Sequence, residues 1–212
     1  GGVRGTSPDR AATGACQHPR LSVFLGMMNR LLPCLLALAS LSSFLRAEDG
    51  WKAGAASVAI TPSESLWMAG YGSRTAPAEG KETDLFAKAL VLEDASGKRG
   101  VVVTLDLVGI DRGFAGRVTD ALAKQHQFSR ESVALSTSHT HSGPVVGQNL
   151  APLHYERLEP EQQRKIDTYA DELLGKITAA VGEAVGALVP ARLQWGSGKC
   201  TFAVNRRENK EP

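Results

Sequence analysis

Three patterns predict an α/β fold for this 212-residue chain, a mixed sheet flanked by helices with a site at strand ends. Two strongly apolar, β-prone runs, residues 101–105 and 133–137, bracket a helical pattern. Strand, helix, strand in that order predicts a crossover with the two strands parallel in one sheet. Ahead of them, residues 86–92 alternate loosely and reach the 101–105 run through Glu93-Asp94-Ala95-Ser96-Gly97-Lys98, which predicts an antiparallel hairpin. Behind them, Ile166, Ala170, Leu173, Leu174, Ile177, Val181, Ala184, Val185 and Leu188 keep a helical spacing over a long stretch.

The elements follow in order. Residues 1–27 are rich in Gly, Arg, Ser, Pro and Thr without periodicity and read as an unstructured or mis-assigned extension, with Met27 or Met28 as the expected natural start. Residues 28–47 combine Arg30, an apolar stretch from Leu31 to Leu45 and a small residue, Ala47. That is the layout of a secretory signal, with a membrane anchor or a buried helix as the alternative. Residues 48–212 form the body. Residues 53–60 read as a first strand closed by Thr61-Pro62. Met68-Ala69-Gly70-Tyr71-Gly72 is a loop whose glycines suggest a close backbone approach.

Asp106 closes the 101–105 strand, as a cap for the next turn or as a support for a site. Asp111 is placed to cap a helix whose apolar face is Phe114, Val118, Ala121 and Leu122. With the crossover parallel, Asp106 and His139 are expected to share a crevice. Residues 145–158 read as a loop beside that crevice, with His154 as a surface histidine. Pro160 opens the long helix, Pro190 is expected to end it, and residues 191–195 to form another strand.

Ser138-His139-Thr140-His141-Ser142-Gly143-Pro144 is the most informative stretch. If the strand continues through it, residues two apart point to one side, and both imidazoles converge on one point. Two metal ligands, one ligand beside an acid or base, and a structural pair all fit that spacing. Ser142-Gly143-Pro144 breaks the strand and puts the pair where a strand becomes a loop, where sites tend to be built.

Composition narrows the chemistry. The five arginines and one aspartate of residues 1–47 account for the formal net charge of +2, and the body carries a small acidic excess. No basic stripe or aromatic platform points to nucleic acid. Of Cys16, Cys34 and Cys200, only the last lies in the body, so any metal there is held by nitrogen and oxygen.

Six motifs in order, Ala59-Ile60-Thr61-Pro62, Met68-Ala69-Gly70-Tyr71, Thr104-Leu105-Asp106-Leu107, the His139–His141 stretch, Trp195-Gly196-Ser197-Gly198 and Asn205-Arg206, give a sequence that resembles the N-terminal part of the neutral/alkaline non-lysosomal ceramidase family. The resemblance implies a zinc amidase that splits ceramide into sphingosine and fatty acid. It implies that His139 is a zinc ligand and that His141, beside the metal, binds and activates substrate. It also implies that Arg206 of the Asn205-Arg206 pair reaches into the site and that Gly70 lines it through its backbone. A lipid or small-molecule amide is the implied partner, with peripheral contact to a membrane in the case of a lipid. Zn2+ is the implied cofactor, and the remaining ligands would come from later in the polypeptide, so these residues by themselves are expected to be inactive. Val145-Val146 departs from the family's usual glycines and brings substrates other than ceramide into view. A TIM-barrel amidohydrolase also sets His-x-His at a strand end, but no repeating βα units precede His139. A secreted binding protein on the same scaffold is the other alternative, and the oligomeric state carries no sequence signal.

Overall fold

The computed structural model describes residues 50–202. The expected signal at 28–47 and the Asn205-Arg206 pair lie outside the described residues. The α/β architecture is as the sequence predicts: a five-stranded mixed sheet carrying two long helices. In chain order the elements are β1 (Trp51–Ala59), β2 (Phe86–Glu93), β3 (Arg99–Leu105), α1 (Arg112–His126), β4 (Val133–Thr137), α2 (Pro160–Gly186) and β5 (Val189–Ala191). The sheet order is β4-β3-β2-β1-β5.

The expected hairpin pairs β2 with β3 antiparallel from Ala87↔Leu105 to Glu93↔Arg99. Asp94 closes its turn by accepting from the backbone amides of Ser96 and Lys98 at 2.8 and 2.9 Å. The expected crossover is also present. β3 and β4 run parallel from Val101↔Val133 to Leu105↔Thr137, so both strands end level at one edge. Between them α1 starts at Asp111, whose Oδ1 accepts the Phe114 amide at 2.9 Å. That bond satisfies one of the amides orphaned at a helix start.

Period-two burial in the strands decides where the core sits. Ala87, Ala89 and Val91 of β2 and Val101, Val103 and Leu105 of β3 are buried. They form one cluster with Phe114, Val118 and Leu122 of α1 and Leu173, Ile177 and Val181 of α2. Each of the Val, Leu, Ile and Phe side chains among them contributes roughly 1.5–3 kcal/mol of transfer free energy. The opposite sheet face, with Ala55, Ser57, Lys88, Leu90, Val102 and Thr104, is uncovered among the described residues.

The chain after α2 departs from the sequence reading. The helix ends at Gly186, with Ala187 as its C-cap, before Pro190 is reached. Pro190 sits inside β5, opposite Lys52. Proline is tolerated there because β5 is the edge strand. The strand expected at 191–195 is absent: residues 192–200 have no regular structure, and Trp195 is 94% exposed. Antiparallel pairing of residues 189–191 with β1 uses up the strand-forming part of this segment before Trp195.

Candidate active site

The site is built where β4 ends and two loops meet. β4 stops at Thr137, so His139 and His141 are not strand residues. Alternation along a strand is therefore not what brings them together. His139 adopts the left-handed backbone conformation, φ 58°. Histidine enters that region more readily than most residues, at a cost of roughly 1 kcal/mol or more. The resulting turn sets the two rings edge to face, with centroids 5.0 Å apart and planes at 73°.

Each ring is held differently. His139 Nδ1 lies 2.7 Å from the carbonyl oxygen of Val108, just beyond β3. A carbonyl only accepts, so Nδ1 carries the proton and Nε2 keeps its lone pair. A backbone carbonyl fixing one ring nitrogen so that the other is free is the usual support for a metal-bound histidine. His141 Nδ1 is buried without a hydrogen-bond partner. A Cβ built on Gly70 would lie 2.7 Å from that atom and 2.5 Å from Cγ of the same ring. With that nitrogen unpaired, the chemistry of the His141 ring lies at Nε2, whereas His139 has a free lone pair at its own Nε2.

Gly70 meets the ring because of how the loops pair. The Ala69 amide donates to the Gly143 carbonyl and the Val145 amide to the Trp67 carbonyl, each at 2.9 Å, around an isolated antiparallel bridge between Met68 and Pro144. Gly70 itself has φ +105°, a conformation that favours glycine. The close approach expected of this loop is present, and its target is His141. Ala69, Val108, Val145 and Ile166 form a small apolar cluster against which Trp67, Tyr155 and Leu158 pack.

Asp106 plays neither of its expected roles. Its Oδ2 accepts the Phe86 amide at 3.0 Å and ties the ends of β2 and β3 together. The group that faces His139 from this strand end is the Val108 carbonyl, two residues on.

Three residues to which the sequence reading gave no site role belong to the cluster. His154 is 1% exposed, not a surface histidine. Its Nε2 accepts the Gly70 amide at 3.2 Å. Burial, then the positive charges of Arg74 and Arg157, hold its pKa below the ordinary value of 6.5, so it stays neutral and able to accept. Tyr71 lies edge-on to His141, with centroids 4.7 Å apart. Arg74 Nη2 donates to the His141 carbonyl at 2.7 Å, and its guanidinium stands 5.4 Å from the centre of the Tyr71 ring. The burial of His154 has no periodic signature because residues 145–158 are an irregular loop. The glycine-rich composition around Tyr71 is the only signal that touches Arg74.

Gly70, His139 and His141 therefore lie together, whereas Asn205 and Arg206 lie outside the described residues. Among the described residues no three His, Cys, Asp or Glu side chains converge as a ligand set. The donor set fits one nitrogen ligand of a metal ion such as zinc, His139 Nε2, with the His141 ring next to it.

Residues 51–210 match the family described as neutral/alkaline non-lysosomal ceramidase, N-terminal. Over 187 residues the sequence is 29% identical to the neutral ceramidase of Pseudomonas aeruginosa, covering 84% of this chain and 26% of that protein. The solved structure of the neutral ceramidase from Pseudomonas aeruginosa is similar, with a TM-score of 0.56 and 27% identity over 68% of this chain and 22% of that one. A ceramidase complexed with C2 gives a TM-score of 0.54 and 25% identity, with the same coverage. The chain thus spans about a quarter of the length of the curated relative it matches.

Proposed function

The chain belongs to the neutral/alkaline non-lysosomal ceramidase family, and from that premise we propose that it supplies the front part of a zinc-dependent hydrolase of linear lipid amides, the class that splits ceramide into sphingosine and fatty acid. The observation that carries the proposal is the geometry of the histidine pair: the Val108 carbonyl holds His139 Nδ1 and leaves Nε2 free, with the His141 ring 5.0 Å away and packed on Gly70.

In this reading His139 Nε2 holds zinc. When bound, zinc supplies Lewis acidity and, by lowering the pKa of water, a nucleophile at neutral pH. His141 directs its Nε2–H at the amide carbonyl oxygen and stabilises the negative charge that gathers there during attack. One such donor is worth roughly 10²–10³ in rate. Gly70 lets the loop backbone close on His141 and narrows the place where the amide lies. By the family resemblance, Arg206 supplies a second positive group for the same oxygen, Asn205 binds substrate, and the remaining metal ligands come from polypeptide outside these residues. The 212 residues alone then bind zinc weakly and turn over nothing. Residues 28–47 act as an export signal, which places the enzyme in the cell envelope or outside it, in reach of a lipid surface.

The test is metal analysis of the complete protein and its His139→Ala variant, followed by a screen of amide substrates. Wild type is expected to hold zinc and hydrolyse an N-acyl amide, and the variant to lose both. Hydrolysis that survives His139→Ala would defeat the assignment.

A further inference from the structure

The two histidines are fixed by different means. His139 is tied at its ring, by Nδ1 to the Val108 carbonyl. His141 has no such tie, since its Nδ1 is buried without a partner. The place of that ring therefore depends on how its backbone is held and on what packs against it. Both are supplied by residues 70–74.

The backbone comes first. β4 ends at Thr137, so the strand ladder stops short of His141. Before it, the Ser138 amide donates to the Leu105 carbonyl at 3.0 Å; after it, the Gly143 carbonyl accepts the Ala69 amide at 2.9 Å. Between those two ties, among the described residues, one hydrogen bond from another element reaches the backbone of the turn. It runs from Arg74 Nη2 to the His141 carbonyl at 2.7 Å. An ionised donor makes it shorter and stronger than a bond between neutral groups.

The packing comes from the same segment. Tyr71 stands edge-on to the His141 ring at 4.7 Å, and the Arg74 guanidinium lies 5.4 Å from the centre of the Tyr71 ring. Arg74 thus holds the carbonyl of His141 and also the ring that packs on its imidazole. The Arg74 amide donates to the Tyr71 carbonyl at 3.4 Å and closes a turn over Gly72 and Ser73. That turn is seated on the loop that carries His154. A Cβ built on Gly72 would lie 2.7 Å from Leu153 Cδ1, and the Gly70 amide donates to His154 Nε2. Arg74 Nε is buried, so the side chain is turned into the fold.

We propose that Arg74 is a positioning residue: it fixes the His141 carbonyl, and with it the imidazole, while Tyr71 closes on the ring edge. That Arg74 places His141 stands on this geometry; that the placement governs a rate rests on the amide-hydrolase reading above. Arg74 acts through His141 and does not bind substrate.

The test compares the complete protein with Arg74→Met, which keeps an apolar stem and loses the donor, and Arg74→Lys, which keeps a charged donor for a single carbonyl. Crystal structures, metal content and kinetics on an N-acyl amide are read for each. Arg74→Met is expected to shift the His141 ring by about 1 Å, which lowers kcat by about 10²-fold. KM is expected to stay within about two-fold, because the loss falls on a group that acts in the transition state. His139 and the metal content are expected to stay as in wild type, and Arg74→Lys to keep the ring in place and most of kcat. A His141 ring in its wild-type place in Arg74→Met would overturn the proposal, as would a loss of kcat that Arg74→Lys fails to restore. Arg74→Gln, too short to reach the carbonyl, replaces Arg74→Met if that variant does not fold; failure of both to fold would make Arg74 a folding residue and overturn its positioning role. If the ring moves and kcat does not, Arg74 stands and the use of His141 in hydrolysis fails. If wild type cleaves no amide, the hydrolase reading fails and the ring position alone decides on Arg74.

Discussion

The backbone amide of Gly70 donates to Nε2 of His154 across 3.2 Å, joining two loops 84 positions apart in the chain. That bond holds the one glycine whose missing side chain makes room for His141. His141 is thus packed against a loop that the buried imidazole of His154 holds in place.

Gly70→Ala is the sharpest perturbation of this arrangement. The new Cβ would lie 2.5 Å from His141 Cγ, at a backbone φ of +105° that disfavours any side chain. His141 must move, and the strain and misfit cost about 1–3 kcal/mol. The complete protein is expected to lose at least about 10²-fold in kcat/KM, since a small misplacement of a positioned group has that effect. Metal content is expected to stay as in wild type, because His139 is held separately by Val108. Kinetics with parallel metal analysis checks both.

Acid is expected to loosen the site through His154. Its folded pKa is depressed, by burial first and then by Arg74 and Arg157. The unfolded chain takes up a proton near 6.5 where the folded chain resists it. Stability is therefore full above about pH 6.5 and is lost as pH falls below it toward the folded value. Melting temperature measured from pH 7 to pH 5 is expected to fall, and less steeply in His154→Gln, which accepts the Gly70 amide without titrating. The exposed carboxylates of Asp84, Asp94 and Glu131, also held below their ordinary values, act in a lower window, below about 4.5. Identical slopes in wild type and His154→Gln would remove His154 from this role.

Asp111 serves two elements with one side chain. Oδ1 caps α1 at the Phe114 amide, and Oδ2 accepts the Gln148 amide at 3.0 Å from the loop that carries His154. Losing a cap costs about 0.5–2 kcal/mol, and here a second bond goes with it. Asp111→Ala is expected to lower the melting temperature by several degrees, and Asp111→Asn by less. A variant as stable as wild type would show that the helix start is held by other means.

The sheet was legible because burial writes period two into β2 and β3, and the helix between β3 and β4 carries both an apolar face and the capping aspartate. The long helix was legible for the same reason, but its end was not. Pro190 suggests a breaker, yet Gly186 and Ala187 close the helix first, and the proline is free to occupy an edge strand. In the site, the histidine pair announced itself while the cause of its geometry did not. Sequence offers strand alternation; the molecule uses a left-handed turn at His139 and a carbonyl three residues past β3. His154 and Arg74 were illegible because long-range loop pairing, not a local pattern, sets their surroundings.

The most direct measurement is the protonation of the two rings, read by long-range 1H–15N correlation NMR of the histidine side chains at neutral pH. His139 is expected to carry its proton on Nδ1 with Nε2 bare, and His141 to carry its proton on Nε2. Added zinc is then expected to shift His139 Nε2 and leave His141 protonated. A proton on His139 Nε2, with or without zinc, would contradict the assignment of that nitrogen as the metal ligand.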